Sequence, residues 1–408
     1  RPRTGPDGRM SRRRAGGVAA GVPMGFALGA SLTLAIQGWA NLPDPGSIAV
    51  PTVPRTEPQP PEAFLVWTSG GMPDGFRTAI RDLDGIQRSV VVASDNTWLD
   101  RSWSEQGEVI DDPRDGFAIP LEVAAVDPSE FAPFLPPADR SATLALADGQ
   151  GILGESSAKL RGLGPGAVLR FGDVRIEVAA ILPDELVGAH ELMVSREVGH
   201  SIGVTHDRYT LVVPEGARTA LAVQRLLRPI LPGDPPSKVR APGDTPYFRQ
   251  GDAVLPPVRI KLLFGEFQAR PEPGRPGYLD VEPSWVKRNI DTQRVPLLGS
   301  VTCHVSLFPQ IRGVVRELID RGLQDTIHSF SGCYSPRHIN RIPSAGLSHH
   351  SWGIAVDLNV EQGNLFGQMP HQDPRLVEVF EGWGFLWGGT FIEPDGMHFE
   401  YRREPAGS

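Results

Sequence analysis

The sequence predicts an α+β protein, in which a mixed α/β domain precedes a C-terminal domain with a small antiparallel sheet flanked by helices. Three observations predict this architecture. The chain has 408 residues, which is too long for one ordinary hydrophobic core, so two or three domains are expected. Short apolar runs alternate with turn residues from about residue 63 onwards, as in chains that mix strands and helices. Pro-rich stretches separate these regions from each other and from an apolar N-terminal segment.

The composition is that of a folded protein without the signature of nucleic-acid binding. Hydrophobic residues make up 40% and charged residues 22% of the chain, and the formal net charge is −8. Proteins that bind nucleic acid usually present a basic face. We therefore expect no nucleic-acid partner, and the composition leaves the oligomeric state open.

The N-terminus has the layout of a targeting or anchoring signal. Three arginines at 12–14 precede the nearly uncharged residues 15–40, a run long enough to cross a bilayer as a helix. We expect residues 1–14 to be a cytoplasmic basic tail. Residues 15–40 are expected to be a transmembrane signal anchor, which would place the rest of a single-pass protein outside the cell membrane. A signal peptide cleaved after Ala40, which would give a secreted protein, and an ordinary buried helix are the alternatives.

Two Pro-rich stretches mark the predicted domain boundaries. Residues 41–62 predict an extended linker, because proline removes hydrogen-bond donors and stiffens the chain. The mixed α/β extracytoplasmic domain is expected over residues 63–232. Residues 233–250 are expected to link it to the C-terminal domain, which covers residues 251–408 and begins with an N-terminal extension.

The 63–232 domain shows strands and helices but no pattern that indicates chemistry. Its strands are predicted at 89–93, 167–171, 174–181 and 209–213, and its helices at 156–161 and 217–228. His190, His200 and His206 lack the spacing of metal ligands and are interpreted as surface or hydrogen-bonded histidines. The order of helix, Gly-rich turn and strand pair resembles the extracytoplasmic domain of MacB/FtsX-type permeases, a likeness of fold that says nothing about catalysis.

Hydrophobic spacing in the C-terminal domain predicts one core helix among shorter elements. Residues 308–323 carry apolar side chains at helical spacing, with Pro309 in the first turn and Gly322 at the end. Shorter patterns predict strands at 258–264, 326–330 and 395–401, and helices that begin near Pro283 and at Asp373-Pro374. These elements would form the small sheet and its flanking helices.

Two histidine motifs near the C-terminus carry the chemistry: SHHSWGIAVD at 348–357 and DGMH at 395–398. Two imidazoles and a carboxylate brought together by folding are a natural zinc set, and a catalytic site leaves the fourth position to water. If His398 is a ligand, the Asp395 carboxylate three residues earlier can act as general base towards that water.

The motifs S-x-H-x-x-G-x-A-x-D and D-x-x-H-F-E, in this order, resemble the signatures of a zinc peptidase family. This is the family of D-Ala-D-Ala carboxypeptidases and L-Ala-D-Glu endopeptidases (VanY-like, LAS-type or M15 peptidases), and the resemblance covers only the C-terminal part. It implies that His350, Asp357 and His398 bind Zn(2+). It also implies that Asp395 is the catalytic base. His349 is expected outside the ligand set, because only one of the two adjacent histidines occupies the motif position.

An arginine is expected to assist at the same site. Family members carry an Arg just after the preceding strand, in an S-G-Y-R-S type motif, where it holds the substrate carbonyl or carboxylate. Here Tyr334 stands at the matching position and Arg337 follows three residues later. We assign to Arg337 the stabilisation of the developing oxyanion. A surface arginine is the alternative.

The two cysteines, Cys303 and Cys333, lie in the C-terminal third of the chain. They are not in CxxC spacing, so a structural cysteine–zinc site is not expected. In an extracytoplasmic domain a disulfide between them is the favoured interpretation, because that environment is oxidising. Two buried free thiols are the alternative.

The functional expectation is an extracytoplasmic zinc-dependent peptidase that cleaves peptidoglycan stem peptides, of the D-Ala-D-Ala carboxypeptidase type. The peptidoglycan substrate rests on the resemblance and not on residue spacing. The alternatives are an L-Ala-D-Glu type endopeptidase and a non-catalytic cell-wall binding protein. The expected partners are therefore the peptide substrate and, through the N-terminal segment, the membrane.

Overall fold

The structure, a computed structural model, describes residues 62–402 except 147–148, 217, 232, 234–235, 245–248 and 253–254. The tail and apolar segment predicted at 1–14 and 15–40, and nearly all of the 41–62 linker, lie outside the described residues. Within the described part of the chain, no helix has the length and apolar character needed to span a membrane. The described residues belong to one compact unit, Pro58–Ser408.

A large mixed sheet forms the first part of the described chain. Its strands are β1 Phe64–Thr68, β2 Ile86–Leu99, β3 Arg101–Trp103, β4 Val109–Asp111, β5 Ile119–Val126, β6 Gln150–Gly154, β7 Val168–Phe171, β8 Val174–Leu182, β9 Leu192–Ser195, β10 Asp207–Pro214 and β11 Ser237–Arg240. Among the described residues, these eleven strands hydrogen-bond in the order β11-β1-β10-β2-β5-β9-β6-β8-β7-β3-β4. The pairs β5–β9 and β6–β8 are parallel and the others are antiparallel.

Strand β5 lies in the interior of this sheet, between β2 and β9, and both of its faces are covered. Its sequence IPLEVAAV is buried at every position, which is typical of a strand packed on both sides. The helices of this part are α1 Phe76–Arg81, α2 Pro128–Phe131, α3 Arg140–Leu144, α4 Glu155–Arg161, α5 Arg196–Ser201 and α6 Ala220–Leu227. A glutamate inside a buried strand needs a partner, and the partner of Glu122 comes from the stretch that follows the sheet.

The stretch predicted as a linker, 233–250, contributes to the large sheet. Its strand β11 pairs antiparallel with β1 at the sheet edge. Arg249 donates to both carboxylate oxygens of Glu122, at 2.5 and 2.9 Å. The described residues of this stretch therefore add an edge strand and a buried ion pair to the sheet.

The C-terminal part consists of two hairpins, a small sheet and four helices among the described residues. Its elements are β12 Ala269–Pro271, β13 Leu279–Val281, β14 Ile290–Val295, β15 Gly299–His304, β16 Phe330–Gly332, β17 Ala355–Leu358, β18 Phe385–Trp387, β19 His398–Tyr401, α7 Pro257–Phe264, α8 Pro283–Asn289, α9 Phe308–Asp320 and α10 Pro374–Gly382. Strands β12–β13 and β14–β15 form the hairpins, and the small sheet has the order β16-β17-β19-β18 with antiparallel pairs. A mixture of helices with several sheets is confirmed.

The predicted core helix is α9. Its buried side chains include Phe308, Ile311, Val315 and Leu318, which recur at three- and four-residue spacing. The helix packs against α10 and shares one hydrophobic core with the buried residues of β17 and β19. This core supports the small sheet from behind.

The strand predicted at 258–264 is wrong, because these residues form α7. Pro257 occupies the first helical turn, and the buried Val258, Lys261 and Phe264 recur every three residues. The alternation in the sequence suited a strand equally well. The helix buries Lys261 on the same face as Val258 and Phe264, and no local pattern shows that a lysine is buried there.

The strand predicted at 326–330 is wrong in all but its last residue. Only Phe330 belongs to β16, and Gln324–Thr326 forms a 3₁₀ turn. The Asn359 side chain accepts hydrogen bonds from the backbone N–H groups of His328 and Ser329, at 2.7 and 3.2 Å. These bonds replace the ladder bonds that a strand would need.

A buried ion cluster joins the large sheet to α7. The carboxylate of Glu191, just before β9, accepts from Lys261 Nζ at 2.7 and 2.8 Å and from Arg161 Nη2 at 2.9 Å. Glu266, just after α7, pairs with both cations. The side chains of Glu191, Lys261 and Arg161 are at most 1% exposed, so the two parts share a charged core.

Candidate metal centre

The first histidine motif folds as a 3₁₀ turn followed by a strand. The turn His349–Ser351 begins after Ser348, whose hydroxyl accepts the backbone N–H of His350 at 3.4 Å. Asp357 follows on β17, directly opposite His398 on β19. Directly opposed residues of an antiparallel pair project from the same face of a sheet. The fold therefore brings Asp357 and His398 together beneath the turn that carries His350.

Three side-chain donor atoms converge on one point, and we call His350, Asp357 and His398 the metal centre. His350 Nε2 lies 3.2 Å from Asp357 Oδ1 and 3.2 Å from His398 Nδ1. His398 Nδ1 lies 3.1 Å from Asp357 Oδ1. Among the residues that the structure describes, no other group of three or more His, Cys, Asp or Glu side chains is close enough to hold a metal ion.

Hydrogen bonds on the outer side of each imidazole decide which nitrogen carries the proton. His350 Nδ1 lies 2.6 Å from the carbonyl oxygen of Cys333, which can only accept, so this nitrogen is protonated. His398 Nε2 lies 3.4 Å from Glu400 Oε2 and is protonated for the same reason. In the neutral rings, His350 Nε2 and His398 Nδ1 then each carry a lone pair and no proton. When both rings are neutral, as metal binding requires, two nitrogen lone pairs and a carboxylate oxygen therefore face one another.

This arrangement fits a zinc ion. Three converging lone pairs repel one another unless a cation lies between them, and neutral imidazole with carboxylate is a donor set that zinc prefers. In tetrahedral zinc sites with bonds of about 2.0–2.1 Å, neighbouring ligand atoms are about 3.3–3.4 Å apart. The three separations found here, 3.1–3.2 Å, are close to that spacing. The chemistry of the donor set therefore suits Zn(2+).

The pKa shifts indicate that the site favours a bound cation. Burial lowers the pKa of His350. Burial also disfavours charge on His398, but hydrogen bonds to Asp357 and Glu400 outweigh it and raise the pKa of His398 to about 10. Burial opposes ionisation of Asp357, yet His350 and His398 hold its pKa far below the usual range. The carboxylates therefore stabilise a cation at this point, either a proton or a metal ion.

Asp395 lies beside the metal centre on the segment that leads into β19. Its backbone carbonyl accepts the N–H of His398 at 3.1 Å, and its own N–H donates to Gly388 at 2.9 Å. A Cβ at Gly388 would lie 2.7 Å from the Asp395 carbonyl oxygen, so only glycine fits there. Asp395 Oδ1 is buried and has no hydrogen-bond partner in the described part of the chain. Burial raises the pKa of Asp395 to about 6.

Arg337 is fixed to the turn that carries His350. Its backbone N–H donates to Ser351 Oγ at 3.0 Å, and its carbonyl accepts from the same hydroxyl at 2.9 Å. Its side chain is half-buried, which lowers the pKa of Arg337, while the charges of Asp357 and Asp395 act in the opposite direction. The structure thus brings Arg337 within electrostatic range of both acids.

Sequence reasoning assigned no definite role to Glu400 and placed His349 outside the ligand set. His349 Nδ1 lies 2.6 Å from Glu400 Oε2, the same oxygen that contacts His398. The alternation of His398 and Glu400 along a strand predicts that both lie on one face, where Glu400 either orients a ligand histidine or is solvated, but it gives no signal for the contact with His349. Trp352 is fully buried and donates to the Gly265 carbonyl at 3.2 Å, so it belongs to the core.

The predicted disulfide is present between Cys303 and Cys333, with a Cα–Cα distance of 5.4 Å. Cys303 lies on β15, and Cys333 follows β16 and supplies the carbonyl that orients His350. The disulfide therefore links the β14–β15 hairpin to the backbone behind the metal centre.

Several solved structures are similar to part of the chain, whereas no curated protein matches it. They include the periplasmic region of MacB from Actinobacillus actinomycetemcomitans (12% identity, TM-score 0.30, 44% of this chain and 88% of that one), the extracellular domain of the noncanonic ABC-type transporter YknZ from Gram-positive bacteria (13%, 0.28, 44% and 99%) and a domain of a Porphyromonas gingivalis protein described as a permease (15%, 0.28, 49% and 96%). At these TM-scores the similarities carry no argument about this chain.

One protein family matches the C-terminal part. The model of the family described as D-alanyl-D-alanine carboxypeptidase, Peptidase_M15_4, matches residues 342–401. This stretch contains the three residues of the metal centre and Asp395, whereas Arg337 lies before it. The resemblance of the C-terminal part of this chain to the M15 D-Ala-D-Ala carboxypeptidase family is confirmed over residues 342–401.

Proposed function

We propose that this protein is an extracytoplasmic zinc-dependent peptidase that hydrolyses peptidoglycan stem peptides, with the specificity of a D-Ala-D-Ala carboxypeptidase. One observation carries the proposal: one possible ligand atom from each of His350, Asp357 and His398 converges at the metal centre, next to Asp395, whose buried Oδ1 has no hydrogen-bond partner among the described residues. The family match over residues 342–401 supports it, because that stretch includes all of these groups.

In the proposed reaction the chain holds the metal and moves the protons. A zinc ion bound at the metal centre supplies Lewis acidity, which polarises a carbonyl and lowers the pKa of a water molecule. Asp395 takes a proton from the attacking water and passes it to the departing amine. The C–N bond breaks, the water oxygen joins the carbonyl carbon, and the products are a carboxylate and a protonated amine. Burial, which raises the pKa of Asp395, favours its accepting a proton in the first step.

Arg337 is proposed to stabilise the oxyanion that develops on the scissile carbonyl. Its backbone is hydrogen-bonded to Ser351, the neighbour of His350, and its guanidinium interacts electrostatically with Asp357 and Asp395. A fixed cation aimed at developing negative charge lowers the barrier without reorganisation.

We also propose that the protein is a single-pass protein of the cell membrane with its catalytic domain outside, or a secreted one if the 15–40 segment is cleaved. The disulfide Cys303–Cys333 supports an oxidising compartment. The partners would be the peptide stems of the wall and, through the N-terminal segment, the membrane.

Mass spectrometry of muropeptides incubated with the full chain tests the function. We expect loss of the terminal D-Ala, abolition of this activity by a chelator, and its recovery when zinc is added. Asp395→Asn should leave the substrate intact while it retains a stoichiometric amount of zinc, because Asp395 is outside the ligand set. Identical products from the wild type and Asp395→Asn would refute Asp395 as the base.

The same experiment separates the alternatives. Cleavage at the L-Ala-D-Glu bond, with the terminal D-Ala retained, would identify an endopeptidase. Purified protein that contains no zinc and leaves every muropeptide unchanged would instead support a non-catalytic wall-binding protein.

A further inference from the structure

Two loops lie against each other beside Arg337. One is the 272–278 turn between β12 and β13, and the other is the 338–346 loop that follows Arg337 in the chain. Tyr278 and Arg337 form an isolated antiparallel bridge, and the His338 N–H donates to the Gly277 carbonyl at 2.9 Å. A Cβ at Gly277 would lie 2.1 Å from the Arg341 carbonyl oxygen. The contact is therefore too close for any residue but glycine at this position.

Arg341 is presented towards Tyr278 by an unusual backbone conformation. Asn340 and Arg341 are consecutive left-handed residues with φ of 53° and 61°, although neither is glycine. Arg341 Nε donates to the Tyr278 hydroxyl at 2.9 Å. Non-glycine residues in this region are uncommon, and they cluster at binding and active sites. The guanidinium is thus held in one place although the residue is exposed.

The 338–346 loop is also fastened from its other side. Arg208 and Asn96, both on the large sheet, donate to the carbonyl oxygens of Ser344 and Ala345. His338 Nδ1 lies 2.9 Å from the same Ala345 carbonyl. A loop held at several backbone groups on both sides positions Arg341 before any ligand arrives.

Two of the three guanidinium groups near Tyr278, those of Arg337 and Arg341, have no counterion in the part of the chain that the structure describes. Among the described residues, no carboxylate lies within 4.0 Å of Arg337 or Arg341, whereas Arg275 donates to both oxygens of Glu272, at 3.0 and 2.9 Å. Arg337 is half-buried and lies within electrostatic range of the acids of the site. Fixed cations that have no anionic partner and lie beside a catalytic site favour binding of a ligand that carries an anionic group.

We propose that Arg341, held by Tyr278 and adjoining Arg337, is a specificity residue that binds a free carboxylate of the peptide substrate. The subsite deepens the proposed function and rests on it. It would select peptides that carry a carboxylate close to the cleaved bond over the corresponding carboxamides. Arginine suits this task because its planar donors match the two oxygens of a carboxylate. The carboxylate could be the C-terminal group of the stem or an internal one, and the chemistry of recognition is the same.

Peptide binding tests the subsite without requiring turnover. The full chain with Asp395→Asn, loaded with zinc, is titrated calorimetrically with a stem pentapeptide ending in D-Ala-D-Ala. It is also titrated with the same peptide as a C-terminal amide and with its internal carboxylate amidated. We expect one amidation to weaken binding about tenfold, as for loss of a hydrogen-bonded charge pair at an exposed site. Adding Arg341→Gln should remove that difference, whereas adding Arg275→Gln, whose cation is already neutralised by Glu272, should preserve it.

The outcomes are decisive in either direction. Whichever amidation loses its effect in the Arg341→Gln background identifies the carboxylate that the subsite takes. Three outcomes would overturn the proposal. They are equal affinity for all three peptides, an affinity ratio between amidated and unamidated peptide that Arg341→Gln does not change, and no measurable binding. If the wild type fails to hydrolyse the peptides but the binding difference depends on Arg341, the proposed function fails and the subsite stands.

Discussion

Glu400 is the residue that fixes the orientation of the His398 ring. One of its oxygens lies 3.4 Å from His398 Nε2 and 2.6 Å from His349 Nδ1, so a single buried acid contacts two imidazoles. Burial opposes its ionisation, but His349 and His398 hold the pKa of Glu400 well below its usual range. The contact at Nε2 leaves Nδ1 of His398 free for a metal. Glu400 therefore acts on metal binding without being a ligand.

Glu400→Gln is expected to weaken zinc binding by about 10- to 100-fold, the usual effect of removing a group that orients a ligand. The amide loses the charge that holds the proton on His398 Nε2. Competition with a chromophoric zinc chelator measures the affinity. Glu378→Gln is the matched control, because that carboxylate is 68% exposed on α10 and should leave the affinity unchanged. Wild-type affinity in Glu400→Gln would show that the contact does not support the metal centre.

The β14–β15 hairpin is the element to which the backbone around Cys333, next to the metal centre, is attached. Its last strand carries Cys303, and the disulfide to Cys333 closes a loop with a sequence separation of 30 residues. The N–H of Tyr334, next to Cys333, also donates to the Thr302 carbonyl at 2.9 Å. The backbone that holds His350 is thus attached to the hairpin by a covalent bond and a hydrogen bond.

Replacing both cysteines by alanine is expected to lower the free energy of unfolding by roughly 3–4 kcal/mol, from the loop-closure entropy of a 30-residue loop. Zinc affinity should fall as well, because the Cys333 carbonyl that orients His350 is then held less firmly. Urea unfolding and chelator competition measure the two effects. An unchanged urea midpoint would mean that the surrounding core alone fixes this loop.

How far the sequence predicts the structure depends on the range of the interactions that decide each element. Helix α9 was predicted because its apolar spacing is local, and the metal centre because its two motifs have fixed internal spacing. Helix α7 was missed because one position of its buried face is a lysine, Lys261, whose partner Glu191 lies 70 positions earlier. Arg341 escaped notice for a similar reason, because its partner Tyr278 is 63 positions away. Contacts of this range have no periodic signal.

At the scale of the whole molecule, the large sheet and the C-terminal part are joined by buried charges and by backbone bonds. Ala118, just before β5, exchanges both backbone hydrogen bonds with Ala269 of β12, at 2.9 and 2.8 Å. Glu191 holds Lys261 and Arg161 in the same region. The two parts are therefore expected to unfold together, since separating them would expose paired charges and unpaired backbone groups.

Glu191→Gln is expected to lower the free energy of unfolding by about 3 kcal/mol, because Lys261 and Arg161 lose a fully buried counterion and keep the more exposed Glu266. Urea unfolding followed by tryptophan fluorescence measures the change. Glu378→Gln, which removes an exposed pair with Arg321, is the control and should cost less than about 0.5 kcal/mol. Equal effects of the two variants would show that the buried cluster is not a structural link.

The free energy of unfolding is expected to fall in acid because of Glu122. This carboxylate accepts two hydrogen bonds from Arg249, which follows β11 in the chain. Burial opposes ionisation of Glu122, but Arg249 outweighs it, so its pKa in the folded protein lies below the ordinary value of 4.5. A carboxylate with a lowered pKa stabilises the fold above about pH 4.5, and that stability is lost as the pH falls through the folded-state pKa. Wild type should therefore be more stable than Glu122→Gln near neutrality, and the gap should narrow in acid. Urea midpoints of both proteins between about pH 7 and pH 3 measure it. A stability difference that stays constant over that range would exclude Glu122 as a source of acid sensitivity. Glu177→Gln, at an exposed position, is the control and should have the same urea midpoints as the wild type.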